Sequence, residues 1–142
     1  MTTTNEYQLS TKIKPNNYIL NLTPDFNTMT FTGKVIIELS ILEPTNQITM
    51  NSIELDLINA SISTDSNTLS SKEFKYNEEK EQVTINFENT INESNAVLSV
   101  EFTGVLNDRL HGFYRSSYED ENGNQKIMAC TQFEPTDARR AF

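Results

Sequence analysis

The stretch Phe31-Thr32-Gly33-Lys34-Val35-Ile36-Ile37-Glu38-Leu39-Ser40-Ile41 decides the class of fold. Successive side chains of a β-strand point to opposite faces, so Phe31, Gly33, Val35, Ile37, Leu39 and Ile41 share one side. Thr32, Lys34, Glu38 and Ser40 share the other, and only Ile36 breaks the alternation. A strand with one buried and one wet face follows. The same period of two recurs in Val83, Ile85 and Phe87, and in Leu98, Val100 and Phe102. Shorter runs at Tyr18–Leu22, Ile48–Met50 and Ile53–Ile62 are rich in Ile and Leu and also read as strands. In the last of these, Leu55, Leu57 and Ile58 would suit a helix as well.

Turn residues separate the runs. Lys14-Pro15-Asn16-Asn17 precedes the first strand, Thr23-Pro24-Asp25 follows it, and Glu43-Pro44-Thr45-Asn46 follows the second. Asn77–Glu81 links two short strands, and Ser61–Ser71 reads as a polar loop with little to bury. Asn122-Gly123, between Gly112–Tyr118 and Lys126–Phe133, offers two residues that tolerate positive φ, as a tight hairpin demands. Thr136 and Asp137 are placed to cap a short helix that includes Arg139, Arg140 and Ala141. The expected architecture is all-β and antiparallel, either a sandwich or saddle-like curved sheets, in one domain over residues 1–142. Residues 1–8 are expected to be a disordered tail.

Composition narrows the functions. A chain of 142 residues fits a single core and buries roughly 70% of its unfolded surface, so it needs no disulfide staples. The formal net charge is −9. Nucleic acids and anionic membranes require a basic face, so neither is an expected partner. Cys130 and His111 are the only residues of their kinds. Neither an internal disulfide nor a cysteine-histidine metal knuckle can form, and His111 reads as an ordinary surface or turn residue. The N-terminus lacks a basic start followed by an apolar run, and no stretch approaches the ~18 apolar residues of a membrane helix. A cytoplasmic location is expected. The N-x-S/T triplets at Asn21, Asn59 and Asn92 then read as accidents of composition rather than glycosylation sites.

No H-E-x-x-H, phosphate loop or G-x-S-x-G elbow is present, and one His cannot supply the three protein ligands of a catalytic zinc. The informative stretch is Thr131-Gln132-Phe133-Glu134-Pro135. If the strand runs to Pro135, which cannot donate to a ladder, Gln132 and Glu134 project together at its rim. A carboxylate there can take an ammonium group while the amide bonds a neighbouring main chain, which suits the free end of a peptide. The plainer reading is a wet strand face running into a turn, and spacing alone favours it.

The segment Met128-Ala129-Cys130-Thr131-Gln132-Phe133-Glu134-Pro135-Thr136-Asp137-Ala138-Arg139-Arg140-Ala141-Phe142 resembles the zinc aminopeptidase family, which includes aminopeptidase N, the puromycin-sensitive enzyme and the yeast alanine/arginine aminopeptidases. There the string continues into Pro-Cys-aromatic-Asp-Glu-Pro. Ile13-Lys14-Pro15 with Tyr18, Leu22-Thr23-Pro24-Asp25 and Phe31-Thr32-Gly33-Lys34-Val35 resemble the family's opening strands, and Gly112-Phe113-Tyr114-Arg115-Ser116 a further one. Where the family usually has a His followed by a small residue, this chain reads Met50-Asn51-Ser52. The resemblance implies an N-terminal β domain of a larger enzyme, incomplete at its C-terminal end, with closing strands and the catalytic domain absent. It implies zinc as the cofactor of the intact enzyme, held by residues this chain lacks, and no catalytic residue here. By position, Glu134 resembles the family Glu that helps bind the substrate's α-amino group, and Gln132 the Gln lining the first side-chain pocket. The implied partners are a peptide, through its free N-terminus, and the missing catalytic domain of the same polypeptide. Alone, the chain is expected to be inactive. A non-catalytic interaction scaffold related to these enzymes, or a freestanding β-sandwich binding module, are the alternatives.

Overall fold

The structure is a computed structural model that describes residues 7–92 and 94–142. It contains β1 (Ile13–Asp25), β2 (Thr30–Ile41), β3 (Thr45–Asn51), β4 (Leu55–Ser63), β5 (Thr68–Asn77), β6 (Gln82–Ile91), β7 (Ser94–Val105), β8 (Gly112–Glu119) and β9 (Gln125–Gln132). A single 3₁₀ turn over Asp137–Arg140 follows. The first seven strands form one sheet in the order β1-β2-β7-β4-β5-β6-β3, and β8-β9 form a separate ribbon. Every paired strand runs antiparallel to its neighbour. The all-β expectation holds in its curved form. The sheet curls until its outermost strands, β1 and β3, line the same groove with Ile37, Leu39, Ile48 and Leu98 at its floor. The tail expected over residues 1–8 lies outside the described residues as far as residue 6. At Tyr7 the carbonyl already accepts from Gln82 Nε2 at 3.3 Å.

Curling encloses the alternate residues that the period of two singled out. Phe31, Val35, Ile37, Leu39 and Ile41 of β2 meet Leu98, Val100 and Phe102 of β7, with Ile62 of β4 and Ile85 and Phe87 of β6. Two glycines let this core close. Gly33 faces Phe102 across the ladder, and Phe31 faces Gly104. A Cβ on Gly33 would stand 2.3 Å from the Phe102 ring, and one on Gly104 would stand 2.4 Å from Phe31. Each ring thus lies over a bare stretch of the neighbouring backbone, and the two rings meet edge to face at 6.5 Å. Gly33→Ala is expected to cost about 1–3 kcal/mol, the usual penalty of overpacking. Urea denaturation of the chain checks it.

Several turn signals were overruled. Lys14–Asn17 and Thr23–Asp25 lie inside β1, with the register slipping between Pro15 and Asn17. An outermost strand tolerates proline because one of its edges has no ladder to complete. Ser61–Ser71 is mostly strand, since Ser61–Ser63 pair with Thr68–Ser70 and only four residues turn between them. The Leu57-Ile58 doublet that suggested a helix marks a bulge. The register slips between Leu57 and Asn59, so the buried set passes from Leu55 to Ala60 and Ile62 while Ile58 is 61% exposed. One extra residue moves the alternation from odd to even.

Asn122-Gly123 turns the β8-β9 ribbon inside a five-residue loop rather than by itself. Gly123 adopts φ 81°, and the Asp120 carboxylate accepts from the amides of Asn122 (3.0 Å) and Asn124 (2.9 Å). The Asn124 amide bond, with help from its side chain, from Asn122 and from Lys126, holds the Asp120 carboxyl below its usual value. A lowered carboxyl stabilises the folded loop above the unfolded value of about 3.9, and that contribution disappears as pH falls through the folded value. Amide exchange at Asn122 and Asn124 is therefore expected to lose protection below about pH 4, relative to the intrinsic rate, before the main sheet does. Simultaneous loss in ribbon loop and sheet would remove this assignment.

Candidate functional site

The root of the ribbon is tied to the sheet before it carries anything outward. Leu106, fully buried, donates its amide to Met29 O at 2.9 Å. The Arg115 amide donates to Asn107 O at 2.8 Å, and its guanidinium donates to Leu106 O. Asn107 closes the intervening loop on both sides, its Nδ2 donating to His111 O at 3.0 Å and its Oδ1 accepting from the Arg109 amide at 2.8 Å. His111 is accordingly a half-buried loop residue. At Gly112, φ is 71° and a Cβ would come within 2.7 Å of the Arg140 Cβ, so glycine is required for conformation and for room.

Gln132 lies opposite Gly112 and is the last residue of β9. The strand thus ends earlier than Pro135, and the alternation argument does not extend to Glu134. The direction of Glu134 is set by a turn instead. The Asp137 amide donates to Glu134 O at 2.9 Å, Pro135 occupies the first central position, and Thr136 has φ 85° and ψ −12°. These are the dihedrals of a type II turn, whose second central position ordinarily holds Gly or Asn. A β-branched residue in that region is strained by about 1–3 kcal/mol. Thr136 makes no side-chain cap, contrary to expectation. The Asp137 carboxylate instead reaches back, Oδ2 accepting from the Glu134 amide at 3.2 Å.

The segment after the turn is fastened to the main sheet at several points. Ala141 is fully buried in the core. The Arg139 carbonyl accepts from the Ile53 amide at 2.8 Å, and the Arg139 guanidinium meets Glu81 at 3.0 Å. Arg140 lies 3.5 Å from Asp137 through Nε and 3.3 Å from Glu54 through its terminal nitrogen. Arg109 meets the same Glu54 oxygen at 2.6 Å. The Arg109 hydrogen bond, with the charges of Arg109, Arg140 and His111, holds the Glu54 carboxyl below its usual range. Phe142 packs edge-on against Phe133 and Tyr18, with ring centroids 6.2 Å apart in both pairs. Burial raises the Tyr18 phenol.

Gln132 and Glu134 therefore stand exposed at the end of a firmly held segment. Among the described residues, neither side chain has a hydrogen-bond or ion-pair partner. An anionic oxygen pair and an amide in that state can receive a cationic group from outside. The sequence reading that singled out Gln132 and Glu134 did not extend to Asp137, Arg140 and Glu54, which hold the segment that follows them. The Glu-Pro step was a visible sign of the turn, but threonine in the position favoured by glycine concealed its type. Among the described residues, no group of three or more His, Cys, Asp or Glu side chains is placed to hold a metal ion. With a single His and a single Cys, the donor set of this chain does not fit a zinc centre. No helix among the described residues is long and apolar enough to cross a membrane.

Residues 14–142 match the Peptidase M1 N-terminal domain family. Aminopeptidase 2 of Candida albicans is 42% identical over 135 residues, covering 94% of this chain and 14% of that protein. Aminopeptidase M1 of Arabidopsis thaliana is 43% identical over 132 residues, covering 90% of this chain and 15% of the relative. The puromycin-sensitive aminopeptidase of Caenorhabditis elegans is 36% identical over 136 residues, covering 95% of this chain and 14% of the relative. The chain thus spans about one-seventh of the length of these relatives.

Proposed function

The chain belongs to the Peptidase M1 N-terminal domain family, and from that premise we propose that it is the substrate-facing domain of a zinc aminopeptidase. Glu134 takes the α-ammonium of a peptide, and Gln132 bonds the adjoining main chain or side-chain pocket. The observation that carries this reading is the pair of exposed, unpartnered side chains on a terminus fastened by Arg139, Arg140 and Ala141. A free carboxylate on an ordered support is preorganised for a cation and loses little entropy when one binds. The aminopeptidase names of the relatives supply the substrate class. Zinc would polarise the scissile carbonyl and activate water from outside this chain. A cytosolic setting is part of the proposal, although one similar yeast protein is named as mitochondrial.

Release of an arylamine from an aminoacyl p-nitroanilide tests the division of labour. The 142-residue chain is expected to release none with or without added zinc. The full-length protein is expected to turn over and to lose activity on chelation. Zinc-dependent turnover by the isolated chain would overturn the reading.

A further inference from the structure

The geometry around Pro135 and Thr136 assigns a residue one step behind the amine-binding pair. We infer that Asp137 is the positioning residue for Glu134, fixing through the Glu134 amide the direction in which its carboxylate leaves the chain. The inference rests on the reading that Glu134 receives the substrate amine.

Three observations converge on it. Asp137 and Glu134 are bonded reciprocally, amide to carbonyl in one direction and amide to carboxylate in the other. With Pro135 restricting the residue before it to an extended conformation, these bonds leave the Glu134 backbone little freedom. The turn they close is strained at Thr136, and a strained turn persists only where its surroundings hold it. Finally, the second oxygen of Asp137 faces Arg140, with the two side chains only 16% and 19% exposed. Arg140 leads on to Glu54, and Glu54 to Arg109. The strained turn is thus braced against residues Glu54 and Arg109, which lie before β4 and before β8. Arg140 Nε makes no hydrogen bond among the described residues, so its hold on Asp137 is Coulombic, and in this partly buried setting that attraction is stronger than at an open surface. Glu134 itself contributes only its backbone to the brace, which leaves its carboxylate free for a ligand.

Steady-state kinetics of the full-length protein on an aminoacyl p-nitroanilide, with Glu134→Gln, Asp137→Ala, Asp137→Asn and the double variant, tests the assignment. Asp137→Ala is expected to raise KM about tenfold with kcat within about twofold, the signature of lost uniform binding. Asp137→Asn keeps an oxygen for the Glu134 amide and is expected to recover most of that loss. A residue acting only through Glu134 has nothing further to remove once Glu134 is altered. The Glu134→Gln/Asp137→Ala variant should therefore match Glu134→Gln within about twofold. Multiplying effects, or an Asp137→Ala variant with normal KM beside a weakened Glu134→Gln, would overturn the positioning role alone. A normal KM for Glu134→Gln would overturn the amine-binding reading and this inference with it. If Asp137→Ala does not fold, the same cycle run with Asp137→Leu, close to Asp in shape but without an acceptor for the Glu134 amide, decides by the same criterion.

Discussion

Phe102→Ala is expected to destabilise the chain by about 3–5 kcal/mol, the range for a large aromatic removed from a core. For a domain whose total stability is on the order of 5–15 kcal/mol, that is a large fraction. The expectation follows from how the ring is seated. Phe102 is 2% exposed, lies over Gly33 on the neighbouring strand, and meets Phe31 edge to face. Phe31 in turn packs at 5.0 Å on Phe113 at the start of the ribbon. A void at Phe102 sits where the backbone of β2 carries no side chain that could move in, so collapse is poor and the cavity cost is high. Urea unfolding measures the loss, and a value under about 1.5 kcal/mol would mean that the ring is not seated this way. A second variant sharpens the argument. Gly33→Ala clashes with the Phe102 ring, so its cost should shrink or reverse in the Phe102→Ala background, where the new methyl partly fills the void. Equal costs in both backgrounds would show that the two positions do not meet.

Phe31–Ile41, Val83–Phe87 and Leu98–Phe102 were readable because each follows one rule, alternation with a single buried face, broken only at Ile36. Where reading failed, two local rules conflicted. Pro15 and Pro24 announce turns, but β1 is an outermost strand and the missing ladder bonds cost nothing there. The bulge at Ile58 shifts the alternation by one residue, which in a single sequence resembles the crowded apolar spacing of a helix. Ser61–Ser71 is polar because, apart from the buried Ile62, its residues stand half-buried or exposed, and most of them are nonetheless in strands. The site divides in the same way. Gln132 and Glu134 were singled out by residue type and family resemblance, whereas the anchoring of their segment depends on contacts distant in sequence. No spacing rule joins Arg140 to Glu54 or Arg139 to Glu81. Those pairs exist because the curled sheet brings the start of β4 and the turn before β6 against the terminal segment.

Glu134→Gln in the full-length protein is expected to weaken binding of free-amine substrates by about 1.5–3 kcal/mol, the scale of a hydrogen bond to a charged group. That corresponds to a rise in KM of about 10- to 150-fold. Glutamine keeps the length of the side chain and one acceptor oxygen while removing the charge, so the loss isolates the attraction for the ammonium from the shape of the pocket. Because the α-ammonium is not altered by cleavage of the peptide bond, the proposed contact would hold substrate and transition state alike. The loss should therefore fall on KM and leave kcat nearly unchanged. In the isolated chain Glu134 is exposed to water, where a single ion pair is worth little. The full effect requires the rest of the polypeptide to exclude water from the site. Gln132→Ala removes only a neutral partner and should cost less, about 0.5–1.5 kcal/mol. Unchanged kinetics for Glu134→Gln, with zinc content intact, would show that the carboxylate at this turn does not meet the substrate amine.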